Sequence, residues 1–271
     1  MKYKILTLVV LIILCGAFCA GTAYLPEIGD PQSVPNNHIS DYYIEHSEED
    51  TASPNIVSGT LADYRGYDTM YETSVMFVSG LVVTLLLAVN QKKDQQKKRK
   101  YDVTEKVMGA ELLRPVETSK LKGIMNHPFG GIIIDVSARL IVPFSMMYAM
   151  YVLAAGEASP GGGFQAGAVL ALGMVLGRLM KGEKASFKIP GAVAVLLAGI
   201  GAFFYVFTGW LSLFNGGMFL EYGAMPFPIS YHHLHEAGIF MIEAGVTLCV
   251  MMTIVGIMEA LLKREDFEEK D

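Results

Sequence analysis

Long apolar runs alternate with dense polar blocks along this chain, and the runs set the architecture. A helix needs about 20 residues to cross a hydrocarbon core of about 30 Å. Six runs are long and apolar enough: roughly Lys4–Tyr24, Met70–Asn90, Ile132–Ala155, Phe164–Leu179, Pro190–Trp210 and Ala237–Leu262. They predict an all-α, polytopic membrane protein with about six transmembrane helices. The fourth run is short and follows three glycines, the signature of a broken or tilted helix. No internal repeat is visible, nor the paired halves common in secondary transporters.

Charge sets the direction of threading, because cytoplasmic loops collect Lys and Arg. With the N-terminus inside, Lys2, Lys4, the basic block after span two, Arg178, Lys181, Lys184, Lys188 and the C-terminal basic residues all fall on one face. Of the 21 Lys and Arg, only Arg65 and Arg139 do not, Arg65 lying outside and Arg139 within a span. The expectation is a multi-pass protein of the cell membrane with both termini cytoplasmic. The first run, ending in Ala20-Gly21-Thr22-Ala23, also resembles a secretory signal peptide, but it is longer than the usual apolar region of about 7–15 residues. A retained helix is expected, and cleavage would leave the other five orientations unchanged.

The chain therefore divides into a first transmembrane helix (1–25), an acidic outer segment (26–69), a second helix (70–90), a basic cytoplasmic linker (91–125), a four-helix membrane domain (126–262) and a charged cytoplasmic tail (263–271). The outer segment has too little apolar content for a core of its own and reads as an extended connection or a strand of chain lying on a partner. Within the linker, Gln91–Tyr101 reads as a solvated membrane-edge stretch and Thr104–Leu113 as a short interfacial helix. Composition agrees with the pattern: 52% of residues are hydrophobic and 18% charged, with a net charge of −6. Cys15, Cys19 and Cys249 lie in apolar runs with no metal-type spacing and read as small buried hydrophobes.

Ionisable residues inside spans are costly and point to function. Asp135 and Arg139 are four residues apart and share a helix face. Counting a rise of about 1.5 Å per residue, Arg139 lies roughly 12 Å from one end of its span and Glu243 roughly 10 Å from the other end of its own. Two readings stand: an internal ion pair, Asp135–Arg139 or Arg139–Glu243, or a hydrated path on which Asp135 or Glu243 exchanges a proton or binds a cation. Pro160, Gly161, Gly162, Gly163 and Gln165 mark the start of span four, where glycines allow close approach by a neighbour; the stretch lacks the Lys-Ser/Thr ending of a phosphate loop. Tyr231-His232-His233-Leu234-His235-Glu236 reads as polar residues at the start of span six, since it lacks a convincing fourth metal ligand. In the outer stretch Asp63, Arg65, Asp68 and Glu72, the Thr69–Glu72 spacing suits a capping box at a helix start near Met70. A salt bridge to Asp63 or Asp68 accounts for Arg65.

Residues of about 126–262 resemble the MnhB (MrpB-type) subunit of multisubunit cation/proton antiporters. The likeness rests on His127-Pro128-Phe129-Gly130, Pro160-Gly161-Gly162-Gly163-Phe164-Gln165-Ala166-Gly167 and Ile242-Glu243-Ala244-Gly245-Val246. Asp63-Tyr64-Arg65-Gly66-Tyr67-Asp68-Thr69 is similar to a second element of that system, with Tyr at two positions where Phe is usual. Both elements in one chain resemble the fused Mrp-like subunits of membrane-bound hydrogenases and sulfur-reducing complexes. The resemblance implies an accessory, non-catalytic subunit, with no cofactor and no metal of its own, surrounded by lipid and other Mrp-like subunits and, in the second case, a hydrogenase or sulfur-reductase module. No nucleic-acid partner is implied. It also implies that Glu243, Asp135 and the glycines at 161–163 are the leading site residues. A purely architectural role is the remaining alternative, since glycine-rich faces suit close helix packing.

Overall fold

The computed structural model describes residues 2–33, 35–107, 132–181 and 189–268. Among these there are six helices long and apolar enough to span a membrane, and no strand. Residues Met1–His46 and Ser47–Asp271 form two compact units. The first holds α1 (Lys2–Thr22), a wide helical turn over Pro35–Ile39 and the start of α2 (Ser40–Thr51). Cys15 and Cys19 are exposed on α1 rather than buried. A helix that is apolar on every side meets lipid, so its cysteines need no cover from protein.

The second unit holds the end of α2, a short helix α3 (Ile56–Ser58), a wide turn over Gly59–Tyr64 and five long helices: α4 (Gly66–Val107), α5 (Ile132–Ala154), α6 (Gly163–Lys181), α7 (Gly191–Phe214) and α8 (Tyr231–Glu268). α8 is the axis of the bundle. It packs on α4, α6 and α7, while α5 packs mainly on α6. Its buried face, Ile239, Ile242, Val246 and Val250, meets Tyr205 of α7 together with Leu220 and Tyr222 of the loop after α7.

In lipid there is little hydrophobic force between helices, so close backbone approach through small residues does much of the work. At the α7–α8 crossing, a Cβ on Gly201 would lie 2.6 Å from the Cys249 amide nitrogen and 2.7 Å from the Gly245 carbonyl oxygen. At the α6–α8 crossing, a Cβ on Gly167 would lie 2.8 Å from the Thr247 carbonyl oxygen, and one on Gly163 would fall onto the Glu243 backbone.

Several expectations are corrected. The acidic outer segment is not simply extended: it forms α2, α3 and the 59–64 turn, and it buries Ser47, Thr51, Ser53 and Ser58. Its docking uses hydroxyl groups and backbone carbonyls, which leave no apolar signature. α4 starts at Gly66 and α8 at Tyr231, earlier than Met70 and Ala237. Thr69 is consequently inside α4 and caps nothing; its hydroxyl donates to the Leu61 carbonyl at 2.7 Å. α4 also runs on as helix to Val107, past the apolar window ending at Ala88, so the basic stretch Gln91–Tyr101 is helical. The rest of the interfacial stretch to Leu113 and the His127–Gly130 motif lie outside the described residues. α6 is continuous over 19 residues.

Replacing Gly201 by Ala forces a methyl group against backbone that cannot yield. The expected cost is about 1–3 kcal/mol, read as a lower melting temperature of the detergent-solubilised protein, whereas an unchanged value would show that α7 and α8 do not cross at this point.

Candidate site at the glycine-rich loop and Glu243

Glu243 lies twelve residues beyond the start of α8, about 18 Å along the helix, and is only 7% exposed. Its carboxylate faces the loop that joins α5 to α6. A Cβ on Gly156 would lie 2.9 Å from Oε2 and one on Gly162 3.4 Å from Oε1. With Gly163 against the Glu243 backbone, three glycines of this turn are shaped around one residue. Oε2 is buried and has no hydrogen-bond partner among the described residues.

A second wall comes from the segment before α4. The Asn55 side chain donates to the carbonyls of Gly156 at 2.8 Å and Ser159 at 2.9 Å, while its Oδ1 accepts from the Val57 amide and caps α3. The Ser58 hydroxyl donates to the Gly156 carbonyl at 2.8 Å, and the Asn55 amide donates to the Glu157 carbonyl at 3.0 Å. A loop between two spans leaves carbonyls that no helix satisfies; in a membrane another part of the protein must supply the donors. Residues 53–58 supply them. Each such bond contributes about 1 kcal/mol net, and a lost partner costs about 1–3 kcal/mol.

Between the two walls is a pocket of about 130 Å³, lined by Ser58, Thr69, Glu72, Gly161–Gly163, Gln165 and Glu243 among others. The structure thus brings together Gly161, Gly162, Gly163, Gln165, Glu243 and Glu72. Pro160 is exposed beside the pocket. Arg65 pairs with Asp68 on the surface, its Nε 2.7 Å from the carboxylate. Asp63 instead meets His235, Oδ2 to Nδ1 at 2.6 Å, and His233 meets Glu236 at 2.8 Å, so two of the three histidines have separate carboxylate partners.

Arg139 is exposed on α5 and does not approach Glu243. The loop facing Glu243 begins beyond Ala154, fifteen residues along α5 from Arg139, about 20 Å at the helical rise. The side chain of Asp135 lies outside the described residues. A buried Arg–Glu pair is present elsewhere: Arg178 Nε and Glu259 Oε1 are 2.7 Å apart between α6 and α8. Arg178 is 8% exposed and its partner 4%. Sequence reasoning also missed Asn55, Ser58, Gly156 and Glu157. An Asn-X-X-Ser spacing after a proline was the one available signal, and it is common in ordinary turns. Glu157 stands on the loop, where burial and the neighbouring Glu236 carboxylate raise its pKa to about 7.

With this geometry in place, comparison with known proteins is informative. Residues 133–256 match the family described as a domain related to the MnhB subunit of Na+/H+ antiporters. Residues 4–96 match a second family, MbhE, one of the subunits of MBH, so the pocket lies between the two matched stretches. A probable K+/H+ antiporter A/B subunit of Rhizobium meliloti is 25% identical over 80% of this chain. An uncharacterised protein of Methanocaldococcus jannaschii is 26% identical over 75% of this chain and 71% of its own length. The chain spans only 22% of the Rhizobium protein. Two solved structures share the fold. A chain of the membrane-bound sulfane sulfur reductase, an archaeal respiratory membrane complex, superposes with a TM-score of 0.56 at 24% identity, covering 97% of this chain and 99% of that one. A chain of the Mrp complex from Dietzia sp. DQ12-45-1b gives 0.54 at 22% identity, covering 96% of this chain and 26% of that one.

The shifted Glu157 carboxyl links the loop to pH. Its ordinary value is 4.5 and its folded value about 7, so between these the folded state binds the extra proton and stability falls as pH rises through that window. The melting temperature of the solubilised protein should drop from pH 5 to pH 8, and Glu157→Gln should flatten that slope. Equal slopes in the two proteins would remove Glu157 from this role.

Proposed function

We propose that this chain is an accessory membrane component of a cation/proton antiporter module, joining neighbouring Mrp-like subunits and lining part of the ion path. The observation that carries the reading is Glu243, a carboxylate buried in the bundle at the wall of a pocket, whose Oε2 has no hydrogen-bond partner among the described residues. A group of that kind is expensive in a membrane unless it serves ions or protons. The antiport functions named for the Rhizobium relative and for a Staphylococcus aureus Na+/H+ antiporter A1 subunit, 36% identical over 58 residues, support the same class of activity. The charge sorting along the chain supports a topology in which both termini are cytoplasmic and the glycine-rich loop lies on the outer side. The chain contributes no catalytic group of its own.

A second reading is favoured by one observation: the likeness to the archaeal respiratory chain runs over nearly all of both chains. In that setting the same module serves a redox complex whose catalyst is another subunit.

The test is Glu243→Gln in the assembled complex. The subunit composition should be unchanged, while cation-dependent proton movement in vesicles should fall at least about tenfold, equivalent to about 1.4 kcal/mol. Full transport in the variant contradicts the reading, and loss of assembly assigns Glu243 to architecture instead. Iron or nickel in the purified complex would favour the respiratory setting.

A further inference from the structure

α5 is an edge helix of the second unit, packed mainly on α6. Ala138, Ala149, Val152 and Leu153 are its buried apolar residues, and only 17% of its apolar window is covered by the chain itself. Exposure alone decides nothing, because the window of α4 is as open, at 11%, and lipid covers apolar faces unaided. Arg139 sets α5 apart. It is exposed and lies seven residues beyond Ile132, where α5 begins, about 10 Å along the helix. Ile132, Ile133 and Ile134 precede it, so its level is that of the lipid tails. Ionisable groups at such depth almost always face protein or a water-filled cavity. A guanidinium has five N–H donors, of which one carboxylate takes two at most. A neighbour on the same helix therefore leaves donors that a second surface must meet.

A further polar gap opens at the same residue. Pro143 is inside α5 and has no N–H, so the Arg139 carbonyl four residues back loses its helical bond. Pro143 is itself exposed, which puts this gap on the outer face as well. In a membrane, a neighbouring helix is one of the means by which such backbone is satisfied.

The surrounding side chains have the period of a helix seam. Val136, Leu140, Pro143, Met147, Met150 and Ala154 are all exposed, spaced alternately four and three residues apart. That spacing keeps one line of side chains against a partner helix crossing at a small angle. Arg139 directly precedes Leu140 and so flanks the seam, where paired helices carry the charges that choose their partners. Lipid offers anionic groups only at the headgroup level, whereas a helix offers them at any depth.

We propose that this face of α5 is the docking surface for one transmembrane helix of a neighbouring subunit, which meets the seam with apolar side chains and sets an aspartate or glutamate against Arg139. The proposal rests on the antiporter-module reading only for the kind of neighbour, another Mrp-like subunit. The chemistry of the surface stands without it.

The experiment uses the intact complex in vesicles of its native lipids. Phe144, 63% exposed beside the seam, is replaced by the photo-crosslinker p-benzoylphenylalanine. Illumination should join α5 to a single neighbouring subunit, and the linked peptide should lie in a transmembrane helix that holds an Asp or Glu. Arg139→Glu should lower the yield of that product about tenfold or more, and replacing the partner carboxylate by Arg in the same complex should restore it. Adducts to lipid alone, a linked helix without a carboxylate, or an unchanged yield in Arg139→Glu each overturn the proposal. If Arg139→Glu does not assemble, the exchanged pair is read on assembly, where recovery supports the surface and failure overturns it. The two readings fail separately: vesicle antiport with lipid adducts alone sinks the surface and spares the module, whereas the specific crosslink in a complex without antiport does the reverse.

Discussion

Unsatisfied backbone is what this structure is organised around. The loop between α5 and α6 carries carbonyls at Gly156, Glu157 and Ser159 that cannot be paired within a helix. Asn55, Ser58 and Ser53 reach across about 100 residues of chain to pair them. In a membrane such donors must come from protein rather than solvent, so the loop and the 53–58 segment specify each other. The same clasp brings Gly156 and Gly162 up to the Glu243 carboxylate and leaves a pocket on the side toward Thr69 and Glu72. Further along, Tyr222 donates to the Ala62 carbonyl and Tyr205 to the Gly66 carbonyl, each at 2.7 Å. These bonds hold the start of α4 against α7 and the loop that follows it.

Because the clasp joins a stretch matched by one family to a domain matched by another, the pocket belongs to neither segment alone. This gives covalent fusion a physical meaning. Two pieces that must present carbonyls and donors to each other within a small tolerance gain from being tethered, since a linker raises the effective concentration of one for the other. Arg178 and Glu259 are placed away from this junction, between α6 and α8, where burial of the pair leaves no charge unmatched. A buried pair of that kind is weak evidence for stability but breaks badly if one partner is lost. It differs in kind from Glu243, whose Oε2 has no hydrogen-bond partner among the described residues.

Much of the fold was legible in the sequence because the membrane imposes length and apolarity, and all six spans fall where the runs predict, within a few residues. The ends were less legible. α8 reaches back to Tyr231 because His235 and Glu236 are satisfied by Asp63 and His233, pairings that no hydropathy pattern carries. Glu243 and the glycines at 161–163 stood out as a costly charge and a permissive backbone, and the structure brings them together. The other half of the site did not stand out: Asn55 and Ser58 act through backbone carbonyls a hundred residues away, and one chain without its relatives gives no hint of that pairing. The Arg178–Glu259 pair did not stand out for a simpler reason: only the packing of α6 on α8 brings the two side chains together.

The account turns on Glu243 carrying no ion pair when its neighbours are in place. A cryo-electron density map of the intact complex tests this most directly. The expected result is a Glu243 carboxylate facing the pocket beside Gly156 and Gly162, with no basic side chain of any subunit within ion-pair distance. A lysine or arginine from an adjoining subunit seated on that carboxylate would contradict it.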